Sequence, residues 1–275
     1  MKTYPVVLSV AGSDSGGGAG IQADLKTMTS LGVYAATVIT AITAQNTLGV
    51  RAIQSVTVDN FQQQLEAVMD DLDVDAVKIG MLHTPEIVEV LALTLKKYKP
   101  KYIVLDPVMV ATSGDSLIQQ ASIETMKKCL FPLASIITPN LKEASILLNR
   151  TIQTVDEMKQ AAFDLLSSDC HAVLIKGGHL KDKSMTDVLW IKGESTSHCF
   201  SSTYIETQNS HGTGCTLSSA IASYLALGYE LKEAVGLAKQ YVFQAIMHGK
   251  DICIGHGHGP LNHAFNPQKL SIIIK

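Results

Sequence analysis

Short apolar runs rich in β-branched residues alternate with segments of helical period along almost the whole chain, and this alternation restricts the fold more than any other feature. Residues 6–10 read as a buried strand, followed by a glycine-rich loop over 12–20 and a helix over 21–31. Residues 35–42 form a second apolar run, and 50–58 alternate apolar and polar positions as a half-exposed strand does. Asp59 or Asn60 is positioned to cap a helix with Phe61, Leu65, Val68 and Leu72 on one face. Thr84 followed by Pro85 opens a further helix running to Lys97.

The pattern predicts strands at 76–79, 102–105, 135–137 and 172–175, with helices at 140–148 and 155–166 between the later ones. Residues 188–191 and 198–204 flank Lys192-Gly193 as a hairpin or edge pair, and helices over 213–227 and 231–248 close the series. Strands that alternate with helices imply an α/β chain with a central, mostly parallel sheet and helices on both faces. No linker, charge block or internal repeat interrupts it, so the expectation is one domain over residues 1–275.

Composition narrows the function. The chain is 46% hydrophobic and 17% charged, which supplies a core and excludes a disordered chain. Its 22 basic and 25 acidic residues leave a charge of −3, too little field to grip nucleic acid, and 5% aromatics argue against a base-stacking platform. The five cysteines are odd in number and contain no C-x-x-C pair, which points to a reducing cytoplasm rather than a disulfide or zinc scaffold. No apolar run reaches transmembrane length. The expectation is a cytoplasmic protein whose partners are small molecules.

In an open parallel sheet, ligands gather beyond the carboxyl ends of the strands, and the unusual residues of this chain stand there. The loop 12–20 lacks the Gly-Lys-Ser/Thr ending of a P-loop, and residues 33–42 lack the acid of a dinucleotide fingerprint. It is either a ligand loop or a tight turn. Gly212-Thr213-Gly214-Cys215 runs straight into an apolar helix, where free N–H groups and the helix dipole favour an anion. The same position would lower the pKa of Cys215, unless that residue is simply a small core side chain.

Asp106 and Glu143 follow strands and suit a magnesium ion held partly through water, although Glu143 also suits a first-turn acid. Lys176-Gly177-Gly178-His179 suits a polyphosphate, or a solvated turn. His256, His258 and His263 fit a loop near the site better than a metal site.

Taken together, the segments AGSDSGGGAGIQADLKT (11–27), TAQNT (43–47), KIGML (78–82), VLDPVMVATSGD (104–115), TPNLKEA (138–144), IKGGH (175–179), HGTGCTLSSAIA (211–222) and GHGHGPLNHAF (255–265) resemble the hydroxymethylpyrimidine kinase/phosphomethylpyrimidine kinase family of thiamine biosynthesis, within the ribokinase-like superfamily. The resemblance implies ATP-dependent phosphorylation of 4-amino-5-hydroxymethyl-2-methylpyrimidine and then of its monophosphate. It also implies magnesium, with a monovalent cation as an option, and a homodimer.

By motif position, Gly12, Asp24, Gln45, Met81 and Val108 resemble the pyrimidine pocket. Asp106, Asn140 and Glu143 resemble the magnesium and phosphate region, with Asp106 and Glu143 on the metal. Lys176 and Thr213 resemble nucleotide contacts. Gly212, Gly214, Cys215 and Lys176 resemble the catalytic anion hole. Sugar kinases of this superfamily carry an aspartate base where this chain has Cys215, which leaves that cysteine either a thiolate base or part of the architecture. The rival readings are a pyridoxine/pyridoxal kinase of the cysteine-bearing subgroup and a non-catalytic sensor of the vitamin precursor.

Overall fold

The computed structural model describes residues 2–109, 118–166, 169–178 and 184–274. In chain order the elements are β1 (Lys2–Thr3), β2 (Val6–Ala11), α1 (Gly20–Ser30), β3 (Tyr34–Ile39), β4 (Ala41–Asn46), β5 (Gly49–Ser55), α2 (Val58–Met69), β6 (Ala76–Ile79), α3 (Pro85–Tyr98) and β7 (Tyr102–Leu105). Then come α4 (Gln120–Cys129), a 3₁₀ turn at Phe131–Leu133, β8 (Ile136–Ile137), α5 (Leu141–Leu148), α6 (Val155–Leu165), β9 (Ala172–Ile175), β10 (Ser184–Ile191), β11 (His198–Thr203), α7 (Thr213–Ala226), α8 (Leu231–Met247) and β12 (Ile273–Ile274).

Eight strands form one sheet in the order β11-β10-β9-β8-β7-β6-β2-β3. Strands β9 through β3 run parallel, and β10 and β11 add an antiparallel edge. The parallel strands are apolar at nearly every position because both faces are covered. One face buries Phe61, Leu91, Met126 and Met158 from α2, α3, α4 and α6. The other buries Met28, Leu217, Ile221 and Ala238 from α1, α7 and α8. Strand order reverses at β2, which has β3 on one side and β6 on the other, and the crevice of such a sheet opens there.

The expected sheet and its helices are present, and the differences are local. The run 35–42 is two strands rather than one. It breaks at Thr40, whose N–H bonds the Ala11 carbonyl and whose hydroxyl bonds the Met81 carbonyl. The chain then leaves the main sheet, and β4 pairs with β5 as a separate antiparallel hairpin. Helix α2 is capped by Thr57, whose hydroxyl accepts the Asn60 N–H, rather than by Asp59 or Asn60. Helix α4 carries few apolar residues and is not marked by periodicity; Ser122, Ile123 and Met126 are its buried positions. Strands β1 and β12 pair with each other outside the main sheet.

Candidate active site

The strand ends converge as the sheet topology requires. A cavity of about 480 Å³ runs along the carboxyl edge, lined from the ends of β2, β4, β6, β7 and β9, and from the start of α7. Gly12, Gln45, Met81, Val108, Asp106, Asn140, Glu143, Lys176 and the turn 212–215 all face it. His179 and residues 110–115 of the matching segments lie outside the described residues.

At one end Met81 and Val108 give an apolar wall, and the Gln45 amide stands beside Thr43 and His211. A Cβ at Gly12 would lie 2.6 Å from Met81 Cε, so the glycine lets the methionine lie flat against the end of β2. Gln45, on the hairpin that leaves the sheet, brings an amide with both a donor and an acceptor to this end.

Asp24 does not join them. It is fully buried on the inner face of α1, where its carboxylate accepts Lys78 Nζ at 2.8 Å, Ser9 Oγ at 2.6 Å and Ser219 Oγ at 2.7 Å. Of the residues expected at the pyrimidine pocket, Asp24 is the one placed behind the pocket wall, and its partner Lys78 lines the cavity.

The other end is charged. Gly212 takes φ 86° at the N-cap of α7, and a Cβ there would overlap the Gly18 carbonyl, so the glycine loop and the anion turn are packed backbone to backbone. The first-turn N–H groups of α7 have no partners inside the helix. Lys176 faces them: a Cβ on Gly214 would lie 3.2 Å from Lys176 Nζ and 3.5 Å from Asp106 Oδ2. Lys176 Nζ bonds Asp106 Oδ1 at 2.7 Å and lies 4.0 Å from Glu143 Oε2. Burial works against the ammonium charge, but Asp106 and Glu143 outweigh it and hold the Lys176 pKa above its ordinary value.

Glu143 is also half of the capping box of α5. Its carboxylate accepts the Asn140 N–H at 2.7 Å, and Asn140 Oδ1 accepts the Glu143 N–H at 2.9 Å. The first-turn acid is thus observed, and the same carboxylate also faces the cavity. Burial pushes its carboxyl up to about 7, Lys176 pulls it down and Asp106 adds to the rise. Two buried carboxylates beside one ammonium leave room for a further cation. Among the described residues no three His, Cys, Asp or Glu side chains gather into a metal cluster, so a cation here would complete its shell with water and phosphate oxygens.

Cys215 lines the cavity behind the turn, as expected, but its chemistry differs from expectation. Burial pushes the thiol up to about 11, and the attraction of Lys78 does not offset it. Desolvation outweighs the helix terminus and the charges of Asp24 and Asp106 add to the rise, which favours the thiol form of this half-buried side chain at the cavity wall.

The structure also brings in residues that no motif singled out. Asp14 and His211 meet at 3.0 Å between the glycine loop and the anion turn. Asp187 accepts the Gly177 N–H at 2.9 Å and Lys239 Nζ at 2.7 Å, and so fixes the turn after Lys176. These pairs are 197 and 52 positions apart in sequence, beyond the reach of any local pattern.

The histidine-rich loop stands beside the site. His256, Gly257 and His258 bond Thr47 through their backbone N–H groups, and Gly259 accepts the His211 N–H. His256 and His258 are exposed. His263 is buried against Thr216, and that burial lowers its pKa to about 4.

The phosphomethylpyrimidine kinase family model matches residues 14–262. A hydroxymethylpyrimidine/phosphomethylpyrimidine kinase of Rhizobium meliloti is 50% identical over 259 residues, covering 94% of this chain and 96% of that protein. The crystal structure of a Clostridium difficile phosphomethylpyrimidine kinase is 47% identical, with a TM-score of 0.78 over 88% of this chain and 99% of that one. An ADP complex of Bacillus subtilis pyridoxal kinase is 38% identical, with a TM-score of 0.87 over 95% and 98%. The glycine loop from Asp14 onward, the lysine after β9 and the Gly-Thr-Gly-Cys turn fall inside the matched span, and the chain belongs to the phosphomethylpyrimidine kinase family.

Proposed function

We propose that the chain uses ATP and magnesium to phosphorylate 4-amino-5-hydroxymethyl-2-methylpyrimidine and then its monophosphate, giving the diphosphate used in thiamine synthesis. One observation carries this reading: a single cavity joins an apolar, amide-bearing lining at Gly12, Gln45, Met81 and Val108 to a charged lining at Lys176, Asp106, Glu143 and the Gly212–Cys215 turn. The Rhizobium meliloti relative is named for both reactions, and the Clostridium difficile structure for the second.

In this reading the ring lies on Met81 and Val108, and its amino edge pairs with Gln45. Its hydroxymethyl group points at the anion turn. The γ-phosphoryl group of ATP meets the α7 N–H groups and Lys176, with Asn140 and Thr213 further along the nucleotide. Phosphoryl transfer is loose, so fixed donors and cations carry most of the catalysis. Asp106 and Glu143 would hold the magnesium, which neutralises phosphate charge when bound. The chain acts as one domain over residues 1–275; the same sheet uses strands from residue 6 to residue 203.

A cytoplasmic homodimer completes the proposal. All five cysteines are free, and Ile42 and Leu48 on the β4–β5 hairpin are exposed apolar side chains that a dimer would cover. No helix among the described residues is long and apolar enough to cross a membrane. Sedimentation equilibrium checks the dimer.

The test is a product assay with hydroxymethylpyrimidine, its monophosphate and pyridoxal in parallel. The expected result is stepwise conversion of the pyrimidine to the diphosphate. Pyridoxal is the second arm because the pyridoxal kinase likeness is high and Cys215 could add its S–H across the aldehyde. Turnover confined to pyridoxal would overturn the pyrimidine reading. Gln45→Ala is expected to raise KM for the pyrimidine about tenfold, the equivalent of one hydrogen bond, with KM for ATP unchanged. Initial-rate kinetics with each substrate varied in turn check this.

Cys215→Ala is expected to reduce both phosphorylation steps alike and by less than about tenfold, because a thiol with its pKa near 11 is not the base at neutral pH. A loss of about a hundredfold on the alcohol step alone would restore the base role.

A further inference from the structure

The carboxylate of the glycine loop, the histidine before the anion turn and the amide at the ring end form one chain of hydrogen bonds. Asp14 accepts the N–H groups of Gly16 at 2.8 Å, Gly18 at 3.0 Å and Ala19 at 2.8 Å, and its Oδ2 lies 3.0 Å from His211 Nε2. Burial works against the Asp14 charge, but the bonds from His211, Ala19 and Gly16 outweigh it and hold the carboxyl below its ordinary value. An ionised carboxylate only accepts, so the proton between the two groups sits on His211 Nε2.

The Gln45 amide is placed with Nε2 3.3 Å from that nitrogen and Oε1 3.3 Å from Thr43 Oγ1, and its two ends are interchangeable by a flip of the amide. Thr43 donates its own proton to the Ser13 carbonyl at 2.7 Å, the shorter of its two contacts. With Gln45 Nε2 turned to His211, N–H would face N–H. With Oε1 turned to His211, it takes the longer share of the one His211 Nε2–H that Asp14 also accepts, and Gln45 Nε2 donates to the Thr43 hydroxyl oxygen. Only this orientation gives every group a complementary partner, and the network is what decides between two near-isosteric amide poses.

We propose that His211 is a positioning residue for substrate choice: it pins the Gln45 amide with its oxygen tethered, so that one lone pair and one N–H face the ring in a fixed order. Resting on the pyrimidine kinase reading, this order matches an exocyclic amino group beside a ring nitrogen. A ring without that amino group can take the N–H but leaves the Gln45 oxygen short of a donor. A buried polar group left unpaired is how a site rejects an analogue.

The tautomer is read without activity, from two-bond ¹H–¹⁵N correlations of the imidazoles in the intact ¹⁵N-labelled protein, with the His211 signals identified by their absence in His211→Gln. A protonated Nε2 in the free protein is expected, and a bare Nε2 overturns the proposal. The second arm is the affinity, by calorimetry, for hydroxymethylpyrimidine and for the same ring lacking its 4-amino group. His211→Leu is expected to cut the preference for the amino ring about tenfold. His211→Gln, whose amide can donate along the same line, is expected to keep most of it. Equal weakening of both rings, or no rescue by His211→Gln, overturns the proposal. If wild-type protein phosphorylates no pyrimidine, the functional reading fails while the tautomer result still judges the wiring. If His211→Leu does not fold, that result decides alone.

Discussion

Lys176→Ala is expected to lower kcat by about 10²–10³-fold, the loss seen when one fixed donor to developing charge is removed. Lys176 is largely buried at the end of β9, is bonded to Asp106, and stands within a side chain's width of Gly214 in the anion turn. Asp106 and Glu143 hold it charged across the neutral range. Its position is fixed from behind, because Asp187 grips the next N–H and is itself gripped by Lys239.

Removing Lys176 therefore takes a preorganised cation from the transferring phosphoryl group and leaves two buried carboxylates facing the nucleotide. KM for the pyrimidine should change little, because the ring end of the cavity is untouched. Lys176→Arg keeps the charge but not the reach and should fall between the two. Single-turnover rates, with a thermal melt to exclude unfolding, check this. A kcat within about threefold of wild type would remove Lys176 from the chemistry.

The sequence carries the sheet, the strand-end positions of Asp106, Glu143 and Lys176, and the anion turn, because each depends on local signals: an apolar run that stops, a glycine, a capping pattern. It does not carry facing. Asp24 falls within a matching segment, and motif position assigns it to the pocket. Yet Ile21, Asp24 and Met28 share the buried face of α1. A charge on an apolar face asks for a buried partner, and Lys78 in the middle of the fully buried β6 is the matching oddity. Each signal is visible alone, but their meeting depends on how α1 crosses the sheet. His211 and Asp14 are hidden in the same way, one inside a glycine loop and the other before a glycine turn. Nor does the sequence carry the desolvation at Cys215 that opposes the helix terminus, because that depends on the surrounding fold.

Asp24→Ala is expected to destabilise the fold by about 3–5 kcal/mol, the loss typical of breaking a buried ion pair, and to lower Tm on the order of 10 °C. Both side chains are 0% exposed, and the ammonium left behind would have no water to replace the carboxylate. Burial disfavours the Lys78 charge, but Asp24 outweighs it and raises the pKa well above the ordinary lysine value. A raised lysine pKa stabilises the fold below the unfolded value and loses effect only as pH rises through the folded one. The contribution is thus present at neutral pH and fades only in strong alkali.

The pair also ties the site together. Asp24 comes from α1, Lys78 from β6, Ser9 from β2 and Ser219 from α7, so one carboxylate anchors the glycine-loop helix and the anion-turn helix to the sheet between them. Neutralising both charges, as in Asp24→Asn with Lys78→Met, removes the orphaned ion and should recover most of the stability. It should not recover all of the activity, because Lys78 lines the cavity beside Cys215. Chemical denaturation of the single and double variants separates the two effects. An Asp24→Ala protein as stable as wild type would mean that water reaches the pair.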